Sequence, residues 1–321
     1  CEYFARYEIR IAPGEVLITN GGSEAIMFAF SVVADEGEEI IIPEPFYTNY
    51  NGYAEMANLR VVPVRTHAED GFHLPSDETL EAALSPRTKA VLVCSPNNPT
   101  GTVLSWDELQ RLAAFATRHE LFLIADEVYK EFTYEGGRHR SVLELPGLED
   151  RVIVVDSISK RFSACGARVG AVISRNREVM AAILKFGQAR LCPPTLEQLG
   201  AVAAYKLPAS YFDHVREEYQ RRRNTMFDAL TTDPGIVLRK PAGAFYMIVK
   251  MAGVTDSDDF ARWLLEDFNL NGETVMLAPA GGFYATPGAG KDEVRMAYVL
   301  EAPKIARAME IFLAGLDRYR R

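Results

Sequence analysis

The sequence of 321 residues lacks the marks of several broad protein classes. Its four cysteines, Cys1, Cys94, Cys165 and Cys192, include no Cys-x-x-Cys pair. Their spacings suggest neither a metal site nor a disulfide framework, so a reducing, cytoplasmic setting is expected. Basic residues never cluster beyond Arg221-Arg222-Arg223, and the net charge is −9. Nucleic acid and anionic membrane surfaces are therefore poor partners. No apolar run is long enough to span a bilayer, and no signal peptide is visible. Internal repeats, low-complexity tracts and disordered linkers are also missing. An initial methionine is absent. Cys1 falls at the edge of a short helical pattern over residues 2–7, so N-terminal residues are expected to be missing from the record.

Apolar residues are plentiful at 48%, enough for one large domain or two. Strand-like runs at 15–19, 39–42, 60–64, 89–94, 121–125, 151–155 and 169–174 alternate with helical patterns near 23–35, 46–57, 76–84 and 105–119. Ser105-Trp-Asp-Glu108 reads as a capping box opening the last helix. This alternation predicts an α/β fold with a mostly parallel sheet covered on both faces. The texture changes after residue 207. A charged helical stretch over 208–231 precedes strands at 236–239, 245–250, 274–278 and 294–299 and helices at 256–268 and 303–317. Residues 1–207 are thus expected to form a large domain and 208–321 a smaller α+β domain.

Ligands of open α/β sheets bind beyond the carboxyl ends of the strands. Four such ends carry polar groups. Gly21-Gly22-Ser23-Glu24 places glycines and a hydroxyl at a helix start, where free backbone N–H groups attract anions. The bland reading is a turn with a serine cap, and by itself this motif does not decide. Ser95-Pro-Asn97-Asn98-Pro99-Thr100-Gly101 makes a fixed loop presenting Asn98. Asp126 ends an apolar strand, where a carboxylate is costly unless it meets a cation, and Tyr129 follows three residues later. Ser157-x-Ser159-Lys160 emerges from another apolar run, with Arg168 eight residues beyond Lys160. A structural ion pair would account for either charged position alone. Together they supply an amine for a Schiff base, a carboxylate, a phosphate cradle and hydrogen-bond donors. Pyridoxal phosphate needs these groups.

At these residues the sequence resembles the class I/II pyridoxal-phosphate-dependent aminotransferases of fold type I, the aspartate aminotransferase superfamily. The similarity runs from about residue 15 to the C-terminus, through Asn-Pro-Thr-Gly, Asp-Glu-Val-Tyr and Ser-x-Ser-Lys in that order. The resemblance implies a three-layer transferase fold and a homodimer. It makes Lys160 the Schiff-base lysine and proton shuttle, and Asp126 the partner of the ring nitrogen. Asn98 and Tyr129 would bond the ring's phenolic oxygen. Gly22, Ser23, Glu24, Ser157, Ser159 and Arg168 would hold the phosphate, with Glu24 contributing through its backbone. Tyr47 matches the aromatic that stacks on the ring; without the resemblance it reads as an ordinary helix-face aromatic. Arg295 matches the arginine that grips the substrate α-carboxylate.

The implied reaction moves an amino group from an L-amino acid to a 2-oxo acid by a ping-pong cycle. Aspartate and 2-oxoglutarate are the expected pair. Relatives in one subgroup carry a lysine in the glycine loop for the distal carboxylate, and this sequence has Gly-Gly-Ser-Glu there. Arg190 is then the candidate for that carboxylate, against an interface or surface arginine as the plain reading. The loop 278–290, rich in glycine and proline, is a candidate lid. Two alternatives stay open: a β-elimination or decarboxylation on the same fold, and a non-enzymatic regulator domain of aminotransferase shape.

Overall fold

The computed structural model describes residues 1–321. Its strands are β1 (Val16–Thr19), β2 (Glu39–Glu44), β3 (Arg60–Arg65), β4 (Thr88–Cys94), β5 (Phe122–Asp126), β6 (Val152–Ser157), β7 (Gly170–Ile173), β8 (Ile236–Val237), β9 (Tyr246–Met251), β10 (Ala278–Pro279) and β11 (Glu293–Ala297). The helices are α1 (Glu2–Ala5), α2 (Gly21–Val33), α3 (Asn49–Met56), α4 (Asp77–Ala82), α5 (Trp106–Arg118), α6 (Ile158–Arg161), α7 (Arg177–Arg190), α8 (Thr195–Ala204), α9 (Ala209–Leu230), α10 (Ser257–Glu266) and α11 (Ala302–Tyr319).

The first seven strands form one sheet in the order β1-β7-β6-β5-β4-β2-β3. Six of them run in the same direction, and β7 alone runs antiparallel, between β1 and β6. The central strands are apolar on both faces, as burial between two helical layers demands. Val91, Val93, Leu123, Ala125, Val152 and Val154 join Leu109, Leu112 and Phe115 of α5 in one core. Their alternate neighbours Ala90, Leu92, Ile124, Ile153 and Val155 join residues of α2, α3 and α7 in another. The period of two thus builds a three-layer α/β fold. Ser105 caps α5 as the sequence predicts, its Oγ accepting from the Glu108 N–H while Glu108 accepts from the Ser105 N–H.

The remaining strands form a second, antiparallel sheet, β10-β11-β9-β8, packed with α9, α10 and α11 through Met226, Leu230, Phe260, Leu264, Ile305 and Phe312. The strand expected over 274–278 is reduced to Ala278–Pro279. Thr274 bonds the Leu264 carbonyl instead, and Met276 is exposed with no strand beside it. Helices α7 and α8 were not legible as amphipathic patterns. Helix α7 buries Val179, Met180 and Ile183, but Leu184 and Phe186 on it, and Leu196, Leu199 and Val202 on α8, face outward and blur the pattern.

Candidate active site

Parallel strands β4, β5 and β6 end side by side, and each delivers a polar group to the same mouth. A cavity of about 200 Å³ opens there. It gathers Gly22, Ser23, Tyr47, Asn98, Asp126, Tyr129, Ser157, Ser159, Lys160, Arg168 and Arg295, residues that lie as many as 273 positions apart in the chain (Gly22 to Arg295).

Asp126 ends β5 at the cavity floor and is 5% exposed. Tyr50 donates to its Oδ2 at 2.8 Å and the Val128 N–H to its Oδ1 at 3.2 Å. Burial is the main cause that raises its pKa, to about 6; those two hydrogen bonds pull it down, while the Asp156 and Glu127 charges add to the rise. No cation of the chain pairs with it closely enough to offset the desolvation. Burial likewise pushes the Tyr129 and Tyr50 hydroxyls up, so both act as hydrogen-bond donors at neutral pH.

The opposite end of the cavity is built for an anion. Helix α2 begins at Gly21 and leaves its first N–H groups, those of Gly22 and Ser23 among them, free of helical partners. Ser157 Oγ lies 2.8 Å from Ser159 Oγ and caps α6 by accepting from the Ser159 N–H. Arg168 was expected to open a strand. It precedes β7 in a left-handed conformation, φ 52°, which turns its side chain back across the loop. There its guanidinium donates to the carbonyls of Cys165 (3.0 Å) and Asn20 (3.2 Å). Gly21 has φ +78°, and a Cβ on it would collide with that guanidinium. A Cβ on Gly170 would sit 2.5 Å from the Gly21 carbonyl carbon. Two glycines therefore let the loop, the arginine and β7 close into one cradle.

Arg295 comes from β11 of the second sheet. Its Nη1 donates to Asn98 Oδ1 at 3.1 Å, and its Nε is buried without a partner. The rings of Tyr246 and Phe283 flank the guanidinium at 4.6 and 4.8 Å. Such a fork, held by rings and still owning free donors, suits a carboxylate.

Two residues of the sequence reading lie elsewhere. Glu24 and Arg190 bind each other: Arg190 Nε donates to both Glu24 oxygens at 3.0 Å and Nη2 to the Ile18 carbonyl at 2.9 Å. Neither side chain lines the cavity. Glu24, one helical turn past Asn20, also accepts from the Asn20 N–H, so its carboxylate braces the loop from outside. Conversely, Tyr50, Cys94 and Tyr246 line the cavity and were not singled out. Tyr50 had a signal, because it stands three residues after Tyr47, in the first turn of α3. Tyr246 had none: its place on β9, beside Arg295's strand, is a tertiary fact.

The donor set fits pyridoxal phosphate. A buried carboxylate without a cation faces a protonated ring nitrogen well, and the arginine, serine hydroxyls and helix start suit a phosphate. Lys160, whose Nζ lies 3.6 Å from Cys165 Sγ, supplies the amine between them.

Comparison with known proteins agrees with this geometry. The family model "Aminotransferase class I and II" matches residues 1–308. The aspartate aminotransferase of Geobacillus stearothermophilus is 32% identical over 305 residues, 93% of this chain and 75% of the relative. Aromatic-amino-acid aminotransferase 2 of Thermococcus litoralis is 32% identical over 301 residues, 92% of this chain and 74% of the relative. A solved aspartate aminotransferase variant of Thermus thermophilus superposes with a TM-score of 0.88 at 31% identity, covering 98% of this chain and 84% of that one. With the motifs, the three-layer sheet and the cradle at its strand ends all pointing one way, the chain belongs to the class I and II aminotransferases, the pyridoxal-phosphate-dependent transaminases.

Proposed function

We propose that this chain moves the amino group of L-aspartate to 2-oxoglutarate, with Lys160 as the catalytic amine. The observation that carries the reading is the meeting of Lys160, Asp126, Arg168 and Arg295 in one cavity. When bound, pyridoxal phosphate supplies an aldehyde that links to amines and a protonated ring that withdraws electrons. The chain does the rest. The α2 start, Ser157, Ser159 and Arg168 hold the phosphate. Asp126, kept in place by Tyr50, stays ionised opposite the ring nitrogen once a cation is there. Asn98 and Tyr129 hold the phenolic oxygen, and Tyr47 covers the ring face. Arg295 takes the α-carboxylate and thereby fixes which bond of the α-carbon faces Lys160. The Lys160 amine would take the α-proton and give it back on the far side of the substrate nitrogen.

The residues before 208 carry the whole first sheet and those after it the whole second sheet, which supports a division into domains at that point. The outward apolar residues of α7 and α8 support a homodimer, the arrangement the family resemblance implies. No helix is long and apolar enough to cross a membrane, and no His/Cys/Asp/Glu group is arranged for a metal. A cytoplasmic enzyme is the proposal consistent with these features.

A second reading concerns the donor. Arg190 is engaged by Glu24, and the ring beside Arg295 that the cofactor assignments leave over in the cavity is Tyr246. That ring favours an aromatic donor. The two readings are separated by half-reactions. Purified protein loaded with pyridoxal phosphate is expected to show a visible band that aspartate converts to the aminated form and 2-oxoglutarate restores. No band in the loaded wild type, or a band retained by Lys160→Ala, would refute the assignment of Lys160. A band answering to phenylalanine or tyrosine and not to aspartate would select the aromatic donor. Release of free ammonia, or of carbon dioxide, without conversion of the band to the aminated form would select the elimination or decarboxylation reading.

A further inference from the structure

Helix α6, which carries Lys160, is a single turn of four residues. A helix so short does not hold its own shape, because nucleation costs more than one turn returns. Its rigidity must come from tertiary contacts, and those lie behind it, away from the cavity. Arg161, the next residue, points the opposite way and is 1% exposed. Its Nη2 donates to both Asp156 oxygens at 2.8 and 3.0 Å, and its Nη1 to Tyr205 Oη at 2.8 Å. Its Nε faces Glu131 Oε1 at 3.4 Å, an ion-pair contact without hydrogen-bond alignment. Lys130 Nζ donates to Asp156 Oδ2 at 2.9 Å.

These four residues form a buried, electrically neutral quartet, and none of them lines the cavity. Two belong to the turn after β5, which presents Asp126 and Tyr129. The other two bracket the turn after β6, which presents Lys160. Every ion pair but one, Arg161 with Asp156, crosses from one turn to the other. Burial raises the Asp156 carboxyl, yet Arg161 and Lys130 outweigh it and hold that carboxyl below its usual range. The N-terminal segment closes the quartet from outside. Tyr3 and Tyr7 donate to Glu131, Tyr7 at 2.8 Å, the Tyr3 ring lies 4.1 Å from the Arg161 guanidinium, and the Phe4 ring lies 4.1 Å from Lys130 Nζ.

A buried ion cluster is a weak source of stability, because apolar residues of the same volume often serve as well. What it supplies is register: charges accept only one alignment of the two turns. We propose that Lys130, Glu131, Asp156 and Arg161 are positioning residues that fix Lys160 relative to Asp126 and Tyr129, with Tyr3 and Tyr7 as their cap. The proposal rests on the assignment of Lys160 made above. It predicts that distorting the quartet misplaces an amine it never touches, and misplacement by about 1 Å costs on the order of a hundredfold in rate.

The test uses Glu131→Gln, which keeps volume and shape but loses the charge, and Arg161→Lys, which keeps the charge but loses the fork, with Asp233→Asn as a control. Asp233 pairs with Arg320 in the second sheet's domain, far from the strand ends. Loaded enzyme is expected to lose about tenfold or more in kcat while KM for the amino acid changes by less than about threefold. In cofactor-free protein, the rate at which trinitrobenzenesulfonate modifies Lys160, located by peptide mass, should change severalfold. The control should lower Tm without altering either quantity. Unchanged kcat and unchanged Lys160 labelling in both quartet variants, with Tm lowered as in the control, would overturn the proposal. Should Arg161→Lys fail to fold, Tyr3→Phe removes one hydroxyl from the cap and carries the same expectation. A wild type that binds no pyridoxal phosphate refutes the assigned function, while the labelling comparison still decides the fate of the quartet.

Discussion

Asp126 carries the clearest consequence of a single side chain. Its pKa in the cofactor-free protein is raised from the usual 3.8 to about 6, chiefly by burial. The folded state therefore binds a proton more tightly than the unfolded chain. The strain is absent below about pH 4, grows through the interval between the two values, and is complete above about pH 6, where it amounts to about 3 kcal/mol. Asp126→Asn should remove it. The cofactor-free variant is expected to match wild type in urea denaturation near pH 4 and to exceed it above pH 6. A difference that does not vary with pH would show that burial of this charge is not what limits the empty protein. Loading with cofactor should abolish the advantage, because a cation then faces the carboxylate.

Single residues also mark how far the sequence was legible. Lys160, Asp126, Asn98 and Tyr129 stood out because they end or follow apolar runs, where a polar group has few structural uses; Arg168 stood out before such a run, and Arg295 only through the family resemblance. Arg190 and Glu24 show, for a physical reason, where the sequence stops short. A charged residue near a site announces itself in sequence, but its partner does not, and here each is the other's partner at 3.0 Å. Tyr50 and Tyr246 went unnoticed because tyrosine is at home in any core, and only the fold reveals which hydroxyl reaches a carboxylate.

At the scale of elements, the strands of the first sheet followed directly from apolar runs bounded by turns. The short pieces did not. Strand β7 packs so closely on the start of α2 that Gly170 has backbone where a side chain would be. Gly170→Ala must push β7 and the loop apart, at a cost of about 1–3 kcal/mol if the neighbours yield. Because the loop is the anion cradle, affinity for pyridoxal phosphate should fall more than Tm does. Equilibrium dialysis beside a thermal melt would check this, and an unaltered dissociation constant would mean the loop can shift without loss. The segment 278–290, a candidate lid by sequence, is tied to the first sheet's edge, where the Phe46 N–H donates to the Phe283 carbonyl at 2.9 Å. Glu44, wholly buried at the end of β2, accepts from the N–H groups of Ala285 (2.9 Å) and Thr286 (3.1 Å). A segment held this way moves with the first sheet's edge, even though it belongs by sequence to the other half.

For the molecule as a whole, the two sheets meet at the cavity through Asn98 with Arg295 and Tyr129 with Tyr246, whose hydroxyls lie 3.3 Å apart. Both contacts join a group near the cofactor to a group near the substrate, so the relative placement of the two halves belongs to the site. The outer face of α8 is the surface proposed for the assembly. Leu196 is 78% exposed and Leu199 64%, values that invite a covering surface. Leu196→Glu with Leu199→Glu should convert a dimer to monomers in sedimentation velocity and lower activity with it. A variant that sediments as the wild type does would move the interface elsewhere on the surface.

The seam between Gly21 and Gly170 has a further implication for transplanting or redesigning this site. The two positions lie 149 residues apart, yet a side chain on Gly170 would meet the backbone of Gly21, and one on Gly21 would meet the Arg168 guanidinium. A designer who copies the phosphate loop and its arginine onto another scaffold, but leaves out the antiparallel strand beneath, transfers the contacts without their clearance. The portable unit is the loop, Arg168 and β7 together.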